Sequence, residues 1–135
     1  MNDTRSELIE AARAVVGDLK LREEFSAGRV GAAIRTVQGN IYTGICIELG
    51  SGLGFCAEIA AIAQMLTHRE TWIDTVVAVT SDRVLSPCGR CRETMAQIDE
   101  RNLDCKVVIG VDREVLLRDL LPNHWLTQDQ HTEPG

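Results

Sequence analysis

The spacing of apolar side chains along the chain predicts alternating helices and strands. Near the N-terminus, apolar residues recur at helical spacing and predict a first helix that reaches Leu19. Residues 22–29 are polar and irregular, which favours a loop. Runs rich in β-branched and apolar residues predict strands, which cover residues 30–37, 41–47, 75–80 and 105–111. Helical spacing predicts further helices or helical turns at residues 55–68, 88–101 and 112–121.

Turn and cap residues separate these predicted elements. Residues 38–40 read Gln-Gly-Asn and predict a hairpin between the first two strands. Residues 48–54, ELGSGLG, predict a loop whose glycines permit close approach of the backbone. Ser86 suits an N-cap and Pro87 suits the first helical position. The order of elements favours an otherwise parallel sheet that is covered by helices on both faces and extended by the antiparallel hairpin.

Length and charge limit the class of protein. The chain has 135 residues, which fits one domain, assigned to residues 1–127, followed by a polar tail at residues 128–135 that is expected to fray. A formal net charge of -6 disfavours nucleic acid as a partner, because negative charge repels phosphates. No apolar run approaches the about 20 residues that a membrane-spanning helix needs. Residues 1–10 lack the apolar core of a signal peptide, so a cytoplasmic location is expected.

Two cysteine segments stand at predicted helix starts. They read Cys56-Ala57-Glu58 and Pro87-Cys88-Gly89-Arg90-Cys91. Backbone N–H groups and the helix dipole favour negative charge at such positions, so thiol pKa values fall there and thiolates can bind zinc. Cys88 and Cys91 are predicted to share one helical face, and Cys56 can complete a three-thiolate set.

A set of three protein ligands indicates a catalytic zinc site, because structural zinc sites are closed by four ligands. The open position takes a water molecule, whose proton Glu58 can accept. Two other interpretations compete. A redox C-x-x-C motif would leave Cys56 unexplained, and a four-thiolate structural site would recruit Cys46 or Cys105. Neither of these two cysteines precedes a predicted helix, and a buried free thiol is the commoner role, so the catalytic interpretation is favoured.

The two cysteine segments resemble the zinc signature of the cytidine deaminase family. The resemblance runs from Val30 to Trp125 and includes three further segments. These are Val30-Gly31-Ala32-Ala33-Ile34, residues 86–93 and Leu120-Leu121-Pro122. The resemblance implies an α/β fold, a three-layer α/β/α sandwich around a five-stranded mixed sheet, with one Zn2+ per chain. Small all-cysteine members are usually homotetramers, and the alanine-rich helix at residues 55–68 has too little polar surface for an exposed element.

The resemblance also implies an activity, the hydrolytic deamination of a cytosine nucleoside to its uracil form with release of ammonia. Cys56, Cys88 and Cys91 would hold the metal, and Glu58 would move the protons. The expected substrate-binding groups are Cys46, Glu48 and the backbone of Ala57.

The residues expected to bind the substrate depart from the ordinary family pattern. Ordinary cytidine deaminases hold the ribose with an Asn-x-Glu pair, whereas this chain has Cys46-Ile47-Glu48. Gly28 and Arg29 stand where a Phe normally packs on the base, and Phe25 is the nearest upstream aromatic residue. Residues 34–36 and 46–48 are more similar to blasticidin S deaminases, which act on a cytosine nucleoside antibiotic with a different sugar. Both kinds of substrate therefore stay open. The alternatives are a deaminase of another amino-heterocycle and a zinc-stabilised binding module without turnover.

Two arginines flank Cys91. Three thiolates and one zinc ion carry a net charge of -1, so an arginine that donates to a thiolate would moderate this charge and tune the bound water. Arg92 matches an arginine of the family, whereas Arg90 fits a solvated helix position equally well.

Overall fold

The computed structural model describes residues 3–127, which contain three α-helices. These are α1 (Asp3–Ala14), α2 (Ala57–Thr67) and α3 (Gly89–Ile98). Short 3-10 helices cover Glu100–Asp104 and Leu117–Leu120. Within the described residues, every helix is too short or too polar to cross a membrane. The predicted tail at residues 128–135 lies outside the described part of the chain.

The described strands form one mixed sheet of seven strands. They are β1 (Leu19–Arg22), β2 (Phe25–Thr36), β3 (Ile41–Glu48), β4 (Ile73–Val79), β5 (Val84–Leu85), β6 (Lys106–Gly110) and β7 (Arg113–Leu116). Five of them follow one another as β3-β2-β4-β6-β7, and the short strands β1 and β5 pair with β2 and β4. The predicted five-stranded core is therefore present. The prediction of an otherwise parallel sheet is wrong, because β4 and β6 make the one parallel pair described.

Side chains alternate along the central strands and give the sheet two buried faces. Ala33, Val77 and Val79 pack with α1 in one cluster. Ile34 and Val76, their neighbours in sequence, pack on the opposite face with α2 and α3. Successive side chains of a strand point to opposite faces of the sheet, so both sets are apolar when helices cover both faces. Helices on both faces confirm the predicted three-layer α/β/α sandwich.

The N-terminal region differs from its sequence-based prediction. Helix α1 ends at Ala14, and residues predicted as helix and loop form the hairpin of β1 and β2, with Leu19 opposite Ala27. Glu24 adopts φ 65° in the turn, a conformation that a helix pattern does not reveal. Pairing with β2 overrides the helical spacing of Leu19.

Both bounds of α3 and the final predicted helix differ from their sequence-based predictions. Helix α3 begins at Gly89, one residue after the predicted start, because Cys88 is extended (φ -73°, ψ 171°) and is the N-cap in place of Ser86. It ends at Ile98 because Asp99 is again extended (φ -166°, ψ 115°). The final predicted helix, residues 112–121, contains β7, whose Val115 pairs with Val107 of β6, followed by the 3-10 helix.

The alanine-rich face of α2 fits closely against β3. A Cβ atom added at Gly44 would overlap the backbone nitrogen of Ala61 and the side chain of Ala60. Small residues on both elements therefore allow the helix axis to approach the strand. This contact fixes the depth at which α2, and the residues at its start, lie over the sheet.

Asn102 is fully buried and joins three separate segments of the chain. Its Oδ1 accepts a hydrogen bond from the Ile73 N–H at 2.7 Å. Its Nδ2 donates to the carbonyl oxygens of Thr71 and Met95, both at 2.9 Å. The side chain thereby ties the end of α3 to the segment that enters β4.

We expect Asn102→Ala to lower the free energy of unfolding by about 3–5 kcal/mol, because three buried backbone groups lose their partner at roughly 1–3 kcal/mol each and the losses overlap. The measurement is the denaturant midpoint, with an unchanged m-value. Gln97→Ala, at an exposed site on α3, serves as the matched control and should shift the free energy by less than about 0.5 kcal/mol. A similar small shift for both variants would contradict a structural role for Asn102.

Candidate active site

Three cysteine thiols meet where α2 and α3 begin. Cys56 and Cys88 are the N-cap residues of these two helices, and Cys91 lies in the first turn of α3, so the predicted placement of the cysteines at helix starts is confirmed. The Sγ atoms of Cys56 and Cys88 are 3.3 Å apart, and those of Cys88 and Cys91 are 3.6 Å apart. All three sulfur atoms lie within 4.8 Å of one another. The structure thus brings together the three predicted ligands from two different helices.

The sulfur geometry fits one zinc ion per chain. Sulfurs bound to a tetrahedral zinc at about 2.3 Å are separated by about 3.8 Å, close to the spacing found here. Soft thiolate donors are also the ligands that zinc prefers. Cys105, a potential fourth ligand in the competing interpretation, is buried in the core cluster instead. A set of three protein ligands leaves one tetrahedral position for a water molecule.

The thiols of the cluster differ in their tendency to ionise in the metal-free chain. Burial raises the pKa of Cys56 to about 11, with a further increase from Cys88. Burial also raises the pKa of Cys91. For Cys88, burial opposes ionisation, but backbone N–H groups at the helix start and the neighbouring thiols outweigh it and lower its pKa. A bound metal ion deprotonates a coordinating thiol outright, so the whole cluster is suited to hold a cation.

The Glu58 carboxyl group is buried beside the cysteine cluster. Its side chain is 4 % exposed in the second position of α2. Burial raises its pKa, while hydrogen bonds from its own backbone N–H and from the Cys91 thiol act in the opposite direction. A buried carboxyl group with a raised pKa is suited to accept and return protons near neutral pH. The structure thus places the predicted proton carrier against a predicted metal ligand.

A cavity of about 520 Å³ opens in front of the cluster. Cys46, Glu48, Ala57 and Glu58 line it together with Cys56 and Cys88, so the predicted substrate-binding residues adjoin the metal ligands. Its volume falls within the usual range for small-molecule sites, about 300–1,000 Å³. Phe55 also lines the cavity and was missed in the sequence interpretation. Because Phe55 directly precedes the predicted ligand Cys56, the sequence could have indicated that it lies beside the metal site.

A short backbone bridge holds the start of α2 against β3. The N–H of Ile47 donates to the Phe55 carbonyl oxygen, and the N–H of Phe55 donates to the Ile47 carbonyl oxygen, both at 3.0 Å. Residues 49–54 form the intervening loop, one residue shorter than predicted because Glu48 ends β3. A Cβ atom at Gly54 would overlap the carbonyl oxygen of Ile47, so only glycine permits this approach. The bridge places the substrate-facing end of β3 beside the cysteine cluster.

The register of β2 shifts beside the cavity. Ala27 pairs with Ile47, but Gly31 pairs with Ile45, so β2 contains a bulge at residues 28–30. The freed N–H of Val30 donates to Cys46 Sγ at 3.4 Å. Cys46 is therefore buried and accepts this hydrogen bond. It occupies the position at which the resemblance to ordinary cytidine deaminases places an Asn that binds ribose.

The same bulge directs Arg29 toward Glu48. Arg29 Nη1 lies 3.4 Å from Glu48 Oε1, and both side chains are exposed. Glu48 lines the cavity in front of the cysteine cluster, whereas Arg29 lines neighbouring cavities. Phe25 lies elsewhere, with the guanidinium of Arg22 5.7 Å from its ring centroid, and it lines a different cavity.

The two arginines beside Cys91 have different environments. Arg90 is exposed and lines the catalytic cavity. Arg92 differs from the expectation that it donates to a thiolate, because its Nε donates to the Pro87 carbonyl oxygen at 2.8 Å and its Nη1 to that of Leu120 at 3.0 Å. Arg92 thereby holds the turn that precedes Cys88 against the 3-10 helix Leu117–Leu120.

Comparison with known proteins identifies the family. Residues 4–108 match the family model of the cytidine and deoxycytidylate deaminase zinc-binding region, and the chain belongs to this family. It is 35 % identical to the blasticidin-S deaminase of Bacillus cereus over 129 residues, with 86 % of this chain and 88 % of the relative covered. It is 31 % identical to a cytidine deaminase of Halalkalibacterium halodurans, with 79 % and 84 % covered.

The fold of a solved family member superposes on this chain. The crystal structure of cytidine deaminase from Mycobacterium tuberculosis matches with a TM-score of 0.76 and 28 % identity, covering 93 % of this chain and 98 % of that one. The chain is therefore a zinc-dependent deaminase by fold, family and ligand set.

Proposed function

We propose that this protein catalyses the zinc-dependent hydrolytic deamination of a cytosine nucleoside, giving the uracil form and ammonia. The observation that carries this proposal is the buried Glu58 carboxyl group, in contact with Cys91, beside a cluster of three thiols of which Cys56 and Cys88 line the same cavity as Glu58. Relatives named blasticidin-S deaminase and cytidine deaminase support the cytosine nucleoside as the substrate class.

Glu58 performs the proton transfers in this mechanism. Cys56, Cys88 and Cys91 would hold a zinc ion, which would supply Lewis-acid activation of a water molecule. Glu58 takes a proton from the attacking water while the water oxygen forms a bond to C4 of the cytosine ring. Glu58 then delivers that proton to N3. Glu58 then carries a second proton from the new hydroxyl group to the amino group, the C4–N bond breaks, and ammonia leaves. The raised pKa of Glu58 fits a group that must be both base and acid.

Besides the proton transfers, the reaction requires the cavity walls to hold the cytosine ring and to exclude bulk water. Phe55 and Val30 supply apolar surface, and the backbone of Ala57 supplies polar groups beside the reacting atoms. Glu48 is the group available to a sugar hydroxyl at the mouth. Holding the ring in one orientation lowers the entropic part of the barrier.

The test is ammonia release from cytidine, deoxycytidine, cytidine monophosphate and blasticidin S. We expect turnover of at least one free nucleoside and no requirement for a phosphate, because the chain carries a net charge of -6. A clear preference for the monophosphate would contradict the free-nucleoside proposal. With zinc bound, failure on all four compounds would favour another amino-heterocycle. Nucleoside binding without any turnover would favour a binding module.

Cys46→Asn tests the ribose contact separately. We expect this variant to raise kcat/KM for cytidine by roughly ten- to a hundredfold, because one recovered hydrogen bond in a sugar site is worth about 1–3 kcal/mol. Cys46→Ser is the matched control, since its short hydroxyl can still accept from the Val30 N–H but does not reach toward the sugar. An equal effect of Ser and Asn would show that the thiol itself limits cytidine turnover.

The assembly is proposed to be a homotetramer. Leu53, beside the cavity mouth, is 77 % exposed in the isolated chain, and Trp125 near the described C-terminal end is 59 % exposed. Large apolar side chains with such exposure favour burial against another subunit. Light scattering at micromolar concentration should give the mass of four chains, and a stable monomer would contradict this proposal.

A cytoplasmic location without nucleic-acid partners is proposed on two grounds. All five cysteines are free thiols, as in a reducing compartment, and the net charge of -6 opposes binding to phosphate backbones. Fractionation of cells and an electrophoretic shift assay test these two statements. The division into a catalytic domain at residues 1–127 and a tail at residues 128–135 stays a prediction.

A further inference from the structure

The five free thiols of the chain differ in their access to solvent. Cys91, Cys105 and Cys46 are buried, with exposed fractions of 0 %, 3 % and 6 %. Cys88 is exposed and Cys56 is half-buried, and both line the catalytic cavity. A cavity with room for a nucleoside also admits a molecule as small as hydrogen peroxide. A soluble oxidant therefore reaches the sulfur atoms of Cys88 and Cys56 before the other three.

The closest pair of sulfur atoms in the cluster joins two different helices. The Sγ atoms of Cys56 and Cys88 are 3.3 Å apart, whereas those of Cys88 and Cys91, in the C-x-x-C segment, are 3.6 Å apart. A disulfide bond brings its two sulfur atoms to about 2.05 Å. The pair between α2 and α3 consequently needs the smaller movement to form one.

The backbone at these positions favours the same pair. Cys56 (φ -76°, ψ 156°) and Cys88 (φ -73°, ψ 171°) are extended N-cap residues, so both side chains can rotate outside the regular turns of their helices. Cys91 lies within the first turn of α3, and its buried thiol is hydrogen-bonded to the Glu58 carboxyl group. A residue inside a helix also loses one χ1 rotamer to a clash with the preceding turn.

We propose that Cys88 is a modification site for peroxides, and that its oxidation converts the metal site into a Cys56–Cys88 disulfide that joins α2 to α3 and stops turnover reversibly. Of the three metal ligands, only Cys91 then keeps a free sulfur, and one thiolate is too few to retain zinc. This inference goes beyond the deaminase activity, because it concerns the state of the thiols and holds for any substrate.

The oxidation proceeds in two balanced steps. The Cys88 thiolate attacks one oxygen of hydrogen peroxide, the O–O bond breaks, and a sulfenic acid and hydroxide form. The Cys56 thiolate then attacks the Cys88 sulfur, the S–O bond breaks, and a second hydroxide leaves as the S–S bond forms. The two thiolates together lose two electrons, and the peroxide that gains them becomes two hydroxide ions. A dithiol reductant reverses the result by thiol–disulfide exchange.

The experiment exposes the zinc-loaded protein to hydrogen peroxide and follows zinc release to a coloured chelator, the mass of the denatured chain, and ammonia release. We expect the bound zinc to be released completely, the chain to lose the mass of two hydrogen atoms, and turnover to fall to the background rate. Dithiothreitol followed by zinc should restore all three quantities. Zinc release and mass report on the disulfide independently of the substrate that the protein turns over.

Peptide mapping after alkylation of the remaining thiols identifies the bonded pair. Trypsin cuts after Arg90 and so separates Cys88 from Cys91, and a glutamate-specific protease separates Cys46 from Cys56. We expect one cross-linked product, in which the peptide of Cys56 is joined to that of Cys88. A cross-link between Cys88 and Cys91 as the main product would overturn the proposal.

Two variants sharpen the test. Metal-free Cys91→Ala should form the same disulfide as fast as the metal-free unmodified chain, whereas a C-x-x-C disulfide could not form in it. Cys105→Ala, at a buried thiol outside the cluster, should release its zinc at the rate of the unmodified protein. The proposal is rejected if Cys91→Ala forms no disulfide, if Cys88 gains oxygen atoms without a cross-link, or if zinc stays bound in excess peroxide.

Discussion

Glu58→Gln should retain zinc and fold but lose nearly all turnover, with kcat lower by about a hundredfold to ten-thousandfold. The amide matches the carboxyl group in shape, so the packing around this 4 % exposed side chain should be preserved. It cannot accept the proton of the attacking water or deliver protons to N3 and to the leaving amine. Because one residue serves several proton transfers, the loss should fall at the upper end of this range.

The measurement is ammonia release by the variant at saturating substrate, together with zinc content and thermal unfolding. Glu10→Gln, on an exposed position of α1, is the matched control and should leave kcat unchanged. Wild-type kcat in Glu58→Gln would mean that the buried carboxyl group has no part in proton transfer.

Cys91→Ala should reduce zinc content from one ion per chain to nearly none, and turnover should be lost with it. Two remaining thiols, from Cys56 and Cys88, cannot provide the three protein ligands of a catalytic zinc site. Elemental analysis after dialysis against a mild chelator measures the loss. X-ray absorption at the zinc edge of the unmodified protein should report three sulfur neighbours.

Cys105→Ala is a closely matched control, because Cys105 is buried to a similar degree but belongs to the core cluster instead. It should keep its zinc and most of its turnover, with a modest loss of stability from the missing sulfur. Four sulfur neighbours in the absorption spectrum, or normal zinc content in Cys91→Ala, would contradict the three-thiolate site.

The metal site could be predicted from sequence because its determinants are local. Cysteines placed just before and within the first turn of a helix signal both the ligand type and the exposed N–H groups beside it. The structure confirms that Cys56 and Cys88 lie at the starts of α2 and α3, although α3 begins one residue after the predicted start. Glu58 followed from its distance of two positions from Cys56, but its burial could not be read from the sequence.

The missed elements depend on pairing between distant segments. Leu19 fits a helical spacing equally well, and only its position opposite Ala27 makes it part of a strand. Residues Arg113–Leu116 likewise form strand β7 instead of the predicted helix, because Val115 pairs with Val107 of β6. The bulge that turns Arg29 toward Glu48 arises from a register shift between two strands, and a single sequence carries no local signal for it.

The catalytic site is divided between two kinds of scaffold. Zinc ligands and Glu58 stand at the starts of α2 and α3, whereas Cys46, Glu48 and Arg29 belong to the β2–β3 pair and its bulge. Substitutions in the bulged strand would therefore change the part of the cavity proposed to hold the sugar, while the helix starts keep their spacing. Such a division would let substitutions in one strand pair change the choice of nucleoside while the geometry of the thiol cluster is preserved.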